Sequence, residues 1–518
     1  MKVKIDLEKD NNLTPFGIAT VQDRYLDKNE TSPQHAFSRA AKYVSTYRGT
    51  TDWDMAQRIY DYASDLWFGF SSPILSNAGT KKGLPISCFL NYVPDSRGGL
   101  SSHYDENIWL ASNGGGIGGY WGDVRSDGTS TSHGSKSTGS IPFMRVVDSQ
   151  MLAFNQGTTR RGSYACYMDI SHPEIEEFLF MRKSSGGDAN RKCLNLHHGI
   201  NITDEFMNAV SKNIEWKLID PHSKKVAKSI NARELWRLIL ETRHETGEPY
   251  LHFVDTSNRS LPETQKKLGL SIKQSNLCSE ITLPTDEDRT AVCCLSSVNL
   301  AKYDEWSTSS TFIPDMVRML DNVLEHFIQA TYDFSYDFKG DVLDMKVKKG
   351  MEGFTKAGYS AYRERSLGLG AMGFHTYLQK LNVPFEGPIA TGQNLKMFRQ
   401  IKELANKTSM ELAEERGEAP DMEGTGMRNA HLLAVAPNAT SSIICGGTSP
   451  SIEPIRANVF IHKTLNGSFQ VRNRQLHNLL KQKWNNSEEL QKEYDSDYQH
   501  FKDKIWQSIS ENTGSVKH

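Results

Sequence analysis

The sequence lacks most of the features that would place it quickly. Seven cysteines are spread over 518 residues, with no CxxC pair and no Cys/His zinc spacing, which excludes a disulfide scaffold and a zinc site of familiar spacing. No run approaches the ~20 apolar residues of a membrane span. The start, MKVKIDLEKD, has no apolar stretch of the kind a secretory signal needs. The formal net charge is -2, so no broad positive surface argues for nucleic acid. The basic pairs Lys266-Lys267 and Lys348-Lys349 read as solvated faces. A Walker-type GxxxxGK[ST] is absent, as are internal repeats and low-complexity linkers. These absences point to a soluble, cytoplasmic protein whose thiols stay reduced, a setting in which paired thiols tend to be catalytic. Length suggests ~3 domains or one large barrel.

What is present reads as α/β. Residues 33–70 carry a helical stripe that includes Ala56, Ile59, Tyr60, Ala63, Leu66 and Trp67. Residues 71–140, rich in Gly, Ser and Asn, read as loops between strands. Helices are expected over 141–156, after a capping box at Asn231, from Pro314, and from Met397 to a stop at Gly417. Strand-like runs lie near 163–169, 194–202, 291–300, 366–372, 432–437 and 452–461. Strands alternating with helices argue for a partly parallel sheet. The last fifty residues are polar with a helical pattern.

The densest chemistry is in Gln274-Ser275-Asn276-Leu277-Cys278-Ser279-Glu280. In an extended segment Asn276, Cys278 and Glu280 would share one face. An amide can orient hydroxyls, a thiol can do redox chemistry and a carboxylate can act as a base. The competing reading is a strand edge with one buried thiol. Two GxGxxG matches, at residues 114–119 and 368–373, lack a preceding apolar strand, so close backbone packing is favoured over a dinucleotide site. Residues 436–442, Ala-Pro-Asn-Ala-Thr-Ser-Ser, are equally an ordinary N-cap or a helix start that binds phosphate. Residues 156–162 form a glycine-flanked loop with two arginines, or else a solvated turn. Cys88 lies in an apolar context, and adjacent Cys293 and Cys294 must face opposite sides of a strand. A hydrolytic Cys nucleophile would want a nearby base such as His, and no His stands close to Cys278 in sequence.

Taken in order, these pieces resemble the large, catalytic subunit of ribonucleotide reductase. The run 275–281, followed by Leu283-Pro284, is similar to that family's finger loop (residues 274–284). Ser87-Cys88 resembles the segment with the first redox cysteine, and residues 291–300 the strand with the second. Residues 437–442, followed by Ile452-Glu453-Pro454, resemble the substrate-phosphate loop, and residues 71–77 the strand that begins the barrel. The resemblance implies a helical region over 1–70 and a ten-stranded α/β barrel over 71–518, as in glycyl-radical enzymes. It implies that Cys278 becomes a thiyl and removes the ribose 3′ hydrogen. Glu280 takes the 3′-hydroxyl proton, Asn276 holds the hydroxyls, and Cys88 with Cys293 supplies the reducing equivalents. Cys294 is left as a packing thiol. Substrate positioning is implied for Ser72, Ser87, Pro437, Thr440, Ser441 and Ser442. A nucleoside triphosphate effector, with Mg2+, is implied at Asp95, Arg125, Gln156, Arg160 and Arg161.

The same resemblance implies partners. They are a radical-generating small subunit with a dimetal (iron or manganese) centre, a second copy of the large subunit, and thioredoxin or glutaredoxin. No cofactor or metal is expected on the chain itself. Two departures are expected: no room for the N-terminal ATP-binding helical domain, and no C-terminal barrel segment with its tyrosine pair and cysteine tail. A complementing C-terminal polypeptide is therefore expected. The alternatives are a cobalamin-dependent reductase and a non-catalytic nucleotide-binding regulator. A dinucleotide-dependent oxidoreductase using residues 368–373 ranks behind them.

Overall fold

One stretch of chain, residues 291–299, joins two sheets and thereby sets the architecture. The computed structural model describes residues 2–86, 88–154, 162–336, 342–464 and 467–516. Nine strands form the wall: β1 (Phe68–Phe70), β2 (Cys88–Tyr92), β3 (Gly116–Tyr120), β4 (Ser163–Asp169), β5 (His197–Ile202), β6 (Tyr250–Phe253), β7 (Ala291–Cys293), β8 (Leu295–Asn299) and β9 (Gly368–Met372). Six lie in one sheet in the order β6-β5-β4-β3-β2-β7, and three in another in the order β9-β8-β1. Neighbours from β6 to β2 are parallel, and β7 returns antiparallel to β2. Strand β8 is parallel to β9 and antiparallel to β1. Only Cys294 separates β7 from β8, so the wall passes from the larger sheet into the smaller without a loop.

Parallel neighbours need crossovers, and helices supply them. Arg97–Ser112 links β2 to β3, Ile141–Ala153 links β3 to β4, and Ala232–Thr246 precedes β6. The last of these is capped as expected, with Asn231 accepting from the N–H groups of Arg233 and Glu234. Helix Phe312–Thr331 is buried along most of its length and packs beneath β8 and β9. Its Asp321 is fully buried between Arg365, Arg416 and Arg428. Burial pushes that carboxyl up, but the three guanidiniums outweigh burial and hold it below the usual carboxylate range. The main core runs from Leu13 to Ile444. A separate small core of Val459, Leu480, Trp484, Phe501, Trp506 and Ile509 holds the C-terminal hairpin and helices together.

Several expectations need correction. Residues 33–70 form two helices, Pro33–Val44 and Trp53–Ser64, divided by a short hairpin, Thr46–Tyr47 with Thr50–Thr51. The stretch 71–140 contains a 16-residue helix, Arg97–Ser112. It escaped detection because its buried face includes His103, Glu106 and Asn107, which break the apolar periodicity. Helix Phe312–Thr331 opens two residues before Pro314, and the helix ending at Gly417 begins at Pro388 rather than Met397. The run 432–437 contributes one bridge, Leu369 to Leu433, and of 452–461 only the end enters strand Val459–Thr464. Among the described residues no helix is long and apolar enough to cross a membrane.

Candidate active site

Residues 274–285 cross the inner face of the larger sheet, and hydrogen bonds to three strands hold them there. Gln274 Nε2 donates to Asn91 O of β2 at 2.9 Å and to Gly118 O of β3 at 3.3 Å. Thr285 Oγ1 donates back to Gln274 Oε1 at 2.9 Å, closing the base of the loop. From β4, the Tyr167 hydroxyl meets Ser275 Oγ at 2.6 Å and donates to Asn276 O at 2.9 Å. The loop can pass over β3 only because residue 118 is glycine: a Cβ there would sit 2.1 Å from Ser275 O.

The tip is a tight turn, which corrects the expected extended alternation. Asn276 N–H donates to Ile281 O at 3.0 Å, Ile281 N–H donates to Asn276 Oδ1 at 3.1 Å, and Ser279 N–H donates to Asn276 O at 3.2 Å. Ser279 has φ +68°. A turn, not a pleat, therefore presents Cys278 and Glu280 to one cavity, with Asn276 buried beneath them.

That cavity, about 270 Å3, lies between the two sheets. Its wall includes Cys88 from β2, Leu295, Ser296 and Ser297 from β8, the segment after β1, and residues 436–441. Cys88 and Cys293 are directly opposed in the antiparallel β2–β7 pair. Opposed residues in such a pair have Cα atoms ~4.5–5.5 Å apart, inside the window for a disulfide. Neither is in a disulfide. The Cys293 thiol is pushed well above its usual range by burial first and by the neighbouring Cys88 second. Cys294 faces the other way, its thiol 3.6 Å from Leu320 O on helix Phe312–Thr331. Burial raises the Glu280 carboxyl, opposed in part by the adjacent Asn276 amide. Asn276 Nδ2 and Glu280 Oε2 are buried and have no hydrogen-bond partner. Buried polar atoms are costly unless a ligand or water meets them.

Ser72, Pro437, Thr440 and Ser441 line the same cavity. Ser72 Oγ is 2.9 Å from the Tyr25 hydroxyl, and Ser441 Oγ donates to Phe70 O at 3.3 Å. Ser441 opens a short helix, Ser441–Ile444, that has no side-chain cap. Ser442 is buried just behind, its Oγ 3.4 Å from Ala439 O. Ser87 lies outside the described residues.

Of the expected effector residues, Asp95 lines a second cavity of about 610 Å3 beyond the C-terminal end of β2. Its carboxylate accepts from Arg125 Nε at 3.0 Å on both oxygens and stands 3.2 Å from His222 Nδ1. Arg125 also donates to Ser130 O at 3.1 Å. Gln156, Arg160 and Arg161 lie outside the described residues. Both glycine motifs serve backbone packing. Residues 368–372 are β9 itself, where a Cβ on Gly370 would be 2.4 Å from Ala434 O. No group of three His, Cys, Asp or Glu poised for a metal occurs among the described residues. Sequence reasoning missed Arg24, Ser76, Asn77, Ser296 and Ser297 in the cavity wall, and Tyr167 beneath the loop. The paired serines within an apolar strand were the only local signal.

A barrel with a thiol-bearing loop across its inside and a thiol pair on its wall defines a class of redox enzymes. The comparisons specify the class further. Residues 11–83 match the family "Ribonucleotide reductase, all-alpha domain", and residues 86–425 and 419–514 match "Ribonucleotide reductase, barrel domain". The putative ribonucleoside-diphosphate reductase large subunit of Frog virus 3 is 49% identical over 465 residues, 90% of this chain and 75% of that one. The large subunit of Invertebrate iridescent virus 3 is 41% identical over 570 aligned positions, covering 100% of this chain and 84% of that one. The solved class Id ribonucleotide reductase alpha subunit of Actinobacillus ureae superposes with a TM-score of 0.80 at 31% identity, over 100% of this chain and 84% of that one. The chain belongs to the ribonucleotide reductase large-subunit family.

Proposed function

We propose that this chain reduces ribonucleoside diphosphates, the substrate named in its viral relatives, with the radical supplied by a separate small subunit. The observation that supports the residue roles most strongly is the convergence of Cys278, Glu280 and Cys88 on one cavity, with Cys293 directly opposed to Cys88. In this reading Cys278, oxidised to a thiyl, takes the 3′ hydrogen and leaves a carbon radical. Glu280 accepts the 3′-hydroxyl proton, which its raised affinity for protons favours. The 2′-hydroxyl leaves as water with one proton from the thiol pair. Cys88 and Cys293 supply two electrons and close to a disulfide, their second hydrogen going to the 2′ carbon; Glu280 returns its proton to the 3′ oxygen, and the 3′ hydrogen returns from Cys278, restoring the thiyl. The unpartnered Asn276 Nδ2 and Glu280 Oε2 are the atoms that would meet the sugar hydroxyls.

The finer partners belong to the same proposal. They are a dimetal small subunit, a homodimer, thioredoxin or glutaredoxin as reductant, and a nucleoside triphosphate effector at the Asp95 cavity. A helical unit over 1–70, a barrel over 71–518 and a cytoplasmic site of action also remain proposals. So does a complementing polypeptide; the edge of β9 away from β8 is itself lined by residues 431–434, which share backbone hydrogen bonds with Leu367 and Leu369.

The test combines the chain with a dimetal small subunit, a dithiol and a ribonucleoside diphosphate, with and without a complementing polypeptide. Deoxynucleotide formation that Cys278→Ser abolishes supports the reading. Turnover that instead requires adenosylcobalamin overturns the small-subunit assignment.

A further inference from the structure

Among the described residues, the wall of the active-site cavity contains a single cationic side chain, Arg24. It ends helix Pro15–Arg24, which docks on the short helix Ser441–Ile444. Contact is close at Gly17, where a Cβ would lie 3.1 Å from Ile443 O. Phe16 stacks on Phe469 at 4.4 Å and fixes the other end of the helix. Directly after Arg24, buried Tyr25 places its hydroxyl 2.9 Å from Ser72 Oγ. The Ser441 contact with Phe70 brings residues 437–441 alongside the same serine. Arg24, Ser72, Thr440 and Ser441 therefore converge on one part of the cavity.

The hydroxyls there are neutral, and the carboxylate in the wall, Glu280, is unfavourable to a second anion. A diphosphate arriving at such a wall needs a positive charge nearby. The guanidinium fork matches phosphate oxygens. At present Arg24 Nε is 3.4 Å from Asp23 Oδ2, with both side chains about a third exposed, at 38% and 33%. Exposed pairs of this kind contribute little, so exchanging Asp23 for a phosphate costs little. An arginine that merely faces the negative end of its own helix is the competing explanation.

We propose that Arg24 binds the phosphate groups of the nucleotide substrate, held in place by the Tyr25–Ser72 contact. This inference rests on the nucleotide reading above. The test uses the full chain with its small subunit, comparing wild type, Arg24→Lys and Arg24→Ala, with inorganic pyrophosphate as competing probe. Arg24→Ala is expected to raise KM for the diphosphate roughly tenfold to a hundredfold, the loss falling on KM rather than kcat. Pyrophosphate inhibition should weaken by the same factor, and Arg24→Lys should lie between. Unchanged KM and unchanged pyrophosphate inhibition in Arg24→Ala, against an active wild type, would overturn the proposal. A wild type that neither reduces a diphosphate nor binds pyrophosphate would instead remove the nucleotide reading itself.

Discussion

The thiol cavity and the Asp95 cavity differ in how their polar groups are satisfied. Around the thiol cavity, Asn276 Nδ2, Glu280 Oε2, Ser76 Oγ and Asn77 Oδ1 are buried without a partner. Around the Asp95 cavity, the central carboxylate already holds Arg125 and His222, and Asp123 accepts from Tyr92 and Lys273. The first site is shaped for a ligand whose hydroxyls complete its hydrogen bonds, a preorganisation that suits chemistry. A ligand at the second must displace existing ion pairs, so binding there is an exchange, sensitive to salt. That contrast fits a reacting centre at the start of β2 and a site of ligand exchange beyond its end.

The contrast is broken most severely at the thiol cavity. Cys278→Ser should reduce product formation to background in the complete assay. Glu280→Gln should lower kcat by roughly 10²–10⁴, the range for losing a general base. Because burial raises the folded-state pKa of Glu280, the folded protein binds that proton more tightly than the unfolded chain does. Its stabilising contribution is present at low pH and lost as pH rises through the folded value. Glu280→Gln should therefore melt higher than wild type at neutral pH, with the gain vanishing in mild acid. A thermal scan at two pH values reads this directly.

A smaller effect is expected at the loop's support. Gly118→Ala places a methyl where Ser275 O now lies, and should displace the loop at a stability cost of about 1–3 kcal/mol. A shift of that kind should lower kcat roughly a hundredfold, with the protein still folded by circular dichroism. The smallest change belongs to the other cavity. Asp95→Asn removes the ion pairs that a ligand must displace, and should flatten the salt dependence of nucleoside triphosphate binding, as titration calorimetry at two ionic strengths would show.

The parts legible in the sequence were those that depend on alternation and order. The opposite facing of Cys293 and Cys294 follows from strand geometry, and the structure has one toward Cys88 and the other toward Leu320. Strands β4 and β5 and helices Ile141–Ala153 and Ala232–Thr246 were readable because each keeps its own period. The loop was not readable as a turn: Ser279 adopts a left-handed φ that its residue type does not announce. Helix Arg97–Ser112 stayed hidden because its inner face carries polar residues that bond across to β2 and β4, such as Asn107 to Asn91 and His103 to Tyr164. Arg24 could not be placed at the cavity from sequence, since only the docking of its helix on Ser441–Ile444 brings it there.

The most direct test is a single turnover without external reductant, followed by digestion and mass-spectrometric mapping of disulfides. One Cys88–Cys293 bond per deoxynucleotide formed is the expected result, with Cys294 still a thiol. Product formed while Cys88 and Cys293 remain reduced, or a bond drawn from Cys294 instead, would contradict the arrangement on which the account depends.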